Sequence, residues 1–141
     1  MGDEGSGGHI GKKLLSGYLR GEMPEKLAKL FTERYLMTDE EIIDRVYTAP
    51  MANRFCAGFC RFIAAHIDQE YLQRMVRSSF QDFFRNLVSK YPNYRKYEFN
   101  CIGSVGYIFK PILEEVAREF GMETGLIIQS PMQELINYHI F

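Results

Sequence analysis

The chain has 141 residues, 46% of them hydrophobic and 25% charged, with 17 basic against 18 acidic side chains and a net charge of −1. That balance suits one soluble domain, or one lobe of a larger protein. It argues against a nucleic-acid surface, which needs clustered lysine and arginine, and against a membrane span, since no apolar run is long enough.

Residues 1–8 are glycine-rich and acidic and do not have the character of a targeting segment. The three cysteines, Cys56, Cys60 and Cys101, are an odd count and read as reduced thiols of a cytoplasmic protein. Helical periodicity then dominates. Ile10, Leu14, Leu15, Tyr18 and Leu19 predict a helix over 9–20, ended by Gly21. Pro24 suits the first turn of a second helix carrying Leu27, Leu30 and Phe31. Thr38 with Glu41 three residues later is a capping box that starts a third, and Thr48-Ala49-Pro50 closes it. One helix is expected over 53–66, rich in small residues, and a long one over about 69–89, with a broad apolar stripe from Leu72 to Val88. Tyr91-Pro92-Asn93-Tyr94 breaks the pattern. Tyr97, Phe99 and Cys101 alternate with Glu98, Asn100 and Ile102 as a short strand would, and run into Gly103-Ser104-Val105-Gly106. A helix carrying Ile108, Ile112, Leu113, Val116 and Phe120 follows. Leu126-Ile127-Ile128 is a second strand, and Ser130-Pro131 opens a last helix. Strand, helix, strand, helix in so short a span predicts a βαβα unit with parallel strands.

Two glycine-rich stretches could carry chemistry. The opening Gly2-Asp3-Glu4-Gly5-Ser6-Gly7-Gly8 combines backbone freedom with two carboxylates that can accept hydrogen bonds from hydroxyls; by composition it is equally a terminal tail. The Gly-Ser-Val-Gly junction puts glycine before a helix N-terminus, where unpaired backbone N–H groups favour anions; it is equally a tight turn that needs glycine for geometry alone. It has no Walker lysine, because Lys110 comes too late. Cys56 and Cys60, at i, i+4, read as buried thiols rather than half of a metal site, since no second Cys/His pair accompanies them. His9, His66 and His139 form no cluster and read as surface or capping histidines.

Three stretches taken in order, GDEGSG at 2–7, FCAGFCRFIA at 55–64 and CIGSVGYIF at 101–109, resemble the C-terminal lobe of N-acetylglucosamine kinase and its BadF-type ATPase relatives, in the superfamily of sugar kinases, actin and the heat-shock chaperone ATPases. The cysteine pattern of the iron–sulfur members of that group is not seen. The resemblance covers nearly the whole chain and implies an α/β fold: a helix-rich, partial ribonuclease-H-like lobe, half of an actin-like ATPase domain. It implies that Asp3 contacts sugar hydroxyls, with Glu4 and Gly5 shaping the loop, and that Ala57 with Gly58 and Ser104 with Gly103 line a nucleotide site. ATP with Mg²⁺ is implied, with no metal ligand assignable in this chain; an amino sugar such as N-acetylglucosamine is the implied substrate, and homodimers occur in the family.

The family's first phosphate-binding hairpin and its proton-accepting aspartate belong to an N-terminal lobe and have no counterpart here. The expectation is therefore a C-terminal lobe over 1–141, lacking its N-terminal partner, with no catalytic residue of its own and inactive alone. A BadF-type ATPase acting on a protein partner, and a non-catalytic helical interaction domain whose glycines are only turns, are the alternatives.

Overall fold

A computed structural model describes residues 4–48 and 50–130. Among the described residues ten regular elements follow one another: α1 (Gly7–Leu19), α2 (Glu25–Tyr35), α3 (Asp39–Tyr47), α4 (Ala52–Ala57), α5 (Cys60–Ala65), α6 (Glu70–Asn86), β1 (Phe99–Ile102), α7 (Ser104–Ile108), α8 (Lys110–Glu119) and β2 (Thr124–Ile128). Two short 3₁₀ turns, Val88–Lys90 and Tyr94–Lys96, connect α6 to β1.

Local signals set most of the boundaries. Ser6 caps α1 by accepting from the His9 N–H at 3.2 Å. The capping box at α3 is complete: Glu41 N–H donates to Thr38 Oγ1 at 3.1 Å, and Thr38 N–H donates back to Glu41 Oε1 at 3.2 Å. Gly21, with φ +71°, turns the chain after α1. The first helix starts two residues before its periodicity does, so Gly7 and Gly8 belong to its first turn rather than to the loop.

Two expected helices are each divided. The stretch over 53–66 breaks at Gly58-Phe59 into α4 and α5. At the break the Phe59 N–H donates to the Cys56 carbonyl at 3.1 Å, and its ring joins an aromatic cluster, with centroids 5.7 Å from Phe31, 4.6 Å from Tyr35 and 5.0 Å from Phe55. The helix after the Gly-Ser-Val-Gly turn breaks at Phe109 into α7 and α8. Pro111 cannot donate to the carbonyl of Tyr107, and its ring would clash there; it sits instead in the first turn of α8, where its missing N–H costs nothing.

The core runs between α1 and α6 and on to α8. Ile10, Leu14 and Leu15 of α1, Leu27 and Phe31 of α2, Leu72, Val76 and Phe84 of α6, and Leu113 and Val116 of α8 are all buried. Between α6 and α8 the helices are also joined at the surface, by Arg77 to Glu115 and Gln81 to Glu119. The sheet rests on this layer through Phe99, whose ring lies 4.8 Å from that of Phe84.

β1 and β2 pair in parallel, as the alternation of strand and helix predicts: Phe99 faces Thr124, Cys101 faces Ile127 and Ile102 faces Ile128. One extra residue sits in β2 between the first two pairs, and the displaced Leu126 N–H donates to the Asn100 side chain at 2.7 Å. The chain thus forms an α/β fold, helix-rich with a small parallel sheet. The last helix of the expected βαβα unit, and His139 with it, lie outside the described residues.

Candidate functional site

The glycines of α1 let three distant parts of the chain meet. Gly7 is buried, and a Cβ there would lie 3.2 Å from Ala57 Cβ and 3.2 Å from Val105 Cγ2. One turn on, a Cβ at Gly11 would overlap the carbonyl oxygen of Cys56, at 1.8 Å. Gly8 faces Asn53 in the same way, at 3.3 Å from its carbonyl oxygen. The start of α1 therefore lies against the α4 backbone, and the Gly-Ser-Val-Gly turn reaches the same point through Val105. All three stretches picked out in the sequence come together around Gly7.

The two residues at the strand-to-helix junction do different work from each other. Gly103 has φ +149°, a conformation that a side chain disfavours. Its N–H donates to the Ile128 carbonyl at 2.9 Å, continuing the sheet ladder, and its carbonyl accepts from Tyr107 N–H at 3.2 Å. Among the described residues nothing lies within 4 Å of where its Cβ would be. The glycine is needed for its backbone, and the space beside it is open. Ser104 follows, exposed, as the first residue of α7. Gly106, by contrast, is a packing glycine, since a Cβ there would press on Cys101 Sγ at 2.7 Å. Ala57 is half-buried and Gly58 exposed at the end of α4; Gly58 has ordinary helical angles, φ −60° and ψ −22°.

Gly5 faces α6. Gly5 has φ +80°, and its N–H donates to Ser79 Oγ at 3.0 Å. Glu4 is half-buried, and its Oε2 is buried with no hydrogen-bond partner among the described residues. A buried carboxylate oxygen without a donor is costly, so this atom is the most conspicuous unmet polar demand of the loop. Gly5 and Gly7 are two residues apart, so their Cα atoms lie within about 7.6 Å of each other. The carboxylate loop and the junction around Ala57 and Val105 are therefore neighbours along one helix start. Asp3, the residue expected to contact a sugar, lies outside the described residues.

The cysteines and histidines have structural places. Cys60 is buried and its Sγ–H donates to the Gly7 carbonyl at 3.6 Å; burial pushes its thiol up to about 11. Burial also raises Cys56 and Cys101, with Lys12 acting in the opposite sense on Cys56. All three are free and stay neutral at pH 7. Among the described residues no group of three His, Cys, Asp or Glu could hold a metal ion. His66 packs on the Phe62 ring at 4.6 Å. His9 is half-buried, with Nδ1 2.7 Å from Ser79 Oγ.

A groove of about 830 Å³ runs between α1 and α6, lined among others by His9, Lys13, Tyr71 and Arg74. It touches the motif cluster only at His9; none of Glu4, Gly5, Ala57, Gly58, Gly103 or Ser104 lines it. Around Gly7, which is buried, Ala57 and Val105 are half-buried, and Gly58 and Ser104 beside them are exposed.

Sequence reasoning missed Gly7, Gly11 and Ser79. The i, i+4 glycine pair was a readable sign of close helix approach. A serine inside the long helix carried no such sign.

No protein-family model matches the chain, and no curated protein matches it. Among solved structures, a Porphyromonas gingivalis protein described as a candidate N-acetylglucosamine kinase is similar over 97% of this chain, with 40% sequence identity and a TM-score of 0.89. The chain covers 48% of that protein. At that identity and structural agreement, carried over almost every residue, this chain is related to N-acetylglucosamine kinase-like proteins and spans about half the length of the relative it matches.

Proposed function

We propose that the chain is the C-terminal lobe of an ATP-dependent sugar kinase acting on an amino sugar such as N-acetylglucosamine, and that it forms one wall of a cleft whose other wall is a second lobe. The observation that carries this reading is the meeting of the three motifs at Gly7, in a chain that shares 40% of its residues with a candidate N-acetylglucosamine kinase. The finer fold assignment, a partial ribonuclease-H-like lobe of the actin type, rests on the motif resemblance, and so does membership of the BadF-type group. Free, neutral thiols suit a cytoplasmic setting. Among the described residues no helix is long and apolar enough to cross a membrane.

In this reading the lobe binds and orients. Asp3 and Glu4 accept hydrogen bonds from sugar hydroxyls. Gly103 offers open space beside its backbone, where ATP, the phosphoryl donor, comes close. Ser104 supplies a hydroxyl at the edge of that space, and Ala57 and Gly58 stay small so that nothing projects into it. These residues fit a nucleotide; none of them is assigned to Mg²⁺. Phosphoryl transfer depends on positioning and charge stabilisation, and the proton of the sugar hydroxyl goes to an aspartate of the other lobe.

Joined to the unmatched part of the Porphyromonas gingivalis relative, this chain is expected to phosphorylate N-acetylglucosamine in an ADP-release assay, and the 141 residues alone to give no turnover. Turnover by the 141 residues would contradict the division of labour between lobes. A folded chimera that turns over no amino sugar would contradict the kinase reading itself.

A further inference from the structure

Ser79 stands out in the middle of α6. It is the one polar side chain that is fully buried among the described residues, at 0% exposure. A buried hydroxyl is unfavourable unless it is hydrogen-bonded, and alanine would fill the same place without that demand. A serine inside a helix commonly bonds back to the carbonyl one turn earlier. The partners of Ser79 lie elsewhere: the Gly5 N–H at 3.0 Å and the His9 ring at 2.7 Å, more than sixty residues away and on either side of the α1 cap.

The two bonds are compatible at one oxygen. Ser79 Oγ accepts from Gly5 N–H and donates its own proton to His9 Nδ1, in the tautomer that carries the ring proton on Nε2. One turn along α6, Phe83 Cβ would stand 3.2 Å from a Cβ at Gly5, closing the other side. Ser6 secures the same segment from within, through its bond to His9 N–H. Residues 5–9 are therefore held from α6 and from their own helix cap, and Glu4 is adjacent to the point where the tether is attached. Preorganising a loop in its binding conformation removes the ordering cost from the binding step.

We propose that Ser79 is a positioning residue for the carboxylate loop: by holding the Gly5 amide and the His9 ring, it sets where Glu4 and its backbone stand against the sugar. This rests on the sugar-kinase reading of that loop. Ser79 touches no substrate itself and acts through Gly5 and His9.

The test compares the wild-type chain with Ser79→Ala and Ser78→Ala. The second variant is the control, because Ser78 is engaged by Lys13 at the surface of α6. Amide exchange of Gly5 and the affinity for N-acetylglucosamine are both read from ¹H–¹⁵N spectra. In Ser79→Ala the Gly5 amide is expected to exchange at least about tenfold faster and the sugar affinity to fall by about tenfold, while the amides of the rest of α6 keep their protection. Ser78→Ala changes neither. Unchanged Gly5 exchange, or unchanged sugar affinity in a Ser79→Ala protein whose wild type binds the sugar, overturns the positioning role and leaves the kinase reading standing. Faster Gly5 exchange in a chain whose wild type takes up no amino sugar overturns the proposal together with that reading.

Discussion

Replacing Gly11 with alanine is expected to destabilise the chain by at least about 3 kcal/mol, the upper range of overpacking costs, and to lower its melting temperature by about 10 °C. The sign is the informative part. Glycine inside a helix is unfavourable relative to alanine by up to about 1 kcal/mol, so on propensity alone the change would stabilise α1. The contact reverses this. A Cβ at Gly11 would sit 1.8 Å from the carbonyl oxygen of Cys56, and the atom in the way is backbone, held in α4. Relief requires α1 and α4 to separate, which opens the core around Ile10, Leu14 and Cys56, all buried. Gly17→Ala is the comparison. There the obstructing atom is the Tyr71 hydroxyl, the far end of a side chain that can swing aside, and the loss is expected to be small. Equal melting temperatures for the two variants would show that α1 and α4 do not meet as closely as described.

Gly103→Val is expected to behave differently: a moderate loss of stability, and loss of nucleotide binding. The backbone at φ +149° is strained for any side chain and most for a β-branched one, at a cost of about 1–3 kcal/mol. Among the described residues no packing clash adds to it, because none lies within 4 Å of the new Cβ. The valine would instead fill the open space beside the junction. ATP affinity is expected to fall by more than about tenfold, or about 1.4 kcal/mol, in a protein that still melts cooperatively. Calorimetric titration of the folded variant with ATP measures this. Undiminished affinity would return Gly103 to a turn residue with no ligand beside it.

These two glycines mark what the sequence shows and what it withholds. Features settled by neighbours in the chain were legible: the capping box at Thr38 and Glu41, the stop at Gly21, the parallel pairing implied by strand, helix, strand. Where a helix yields to tertiary packing, periodicity was blind. Phe59 has an apolar residue's place in the pattern of 53–66, which shows neither the break beside it nor the ring cluster with Phe31 and Tyr35 that it joins. Pro111 did carry its own warning, yet the apolar positions on both sides of it read through as one helix. In the candidate site, Glu4, Gly5, Ala57, Gly58, Gly103 and Ser104 were named from motif resemblance. The meeting of the three stretches that hold them depends on Gly7, whose role appears only when Ala57 and Val105 are seen against it. Ser79 had no local signal at all, since its meaning lies in a loop more than seventy residues away.

In the proposed function the opening loop, the α4 end and the Gly-Ser-Val-Gly turn form one ligand-binding surface around Gly7. It is tested most directly by titrating the ¹⁵N-labelled chain with ATP and mapping the amides that move. Shifts are expected to concentrate at Gly7, Ala57, Gly58, Gly103 and Ser104. Shifts confined to the α1–α6 groove around Tyr71 and Arg74, or no shifts at millimolar ATP, would contradict it.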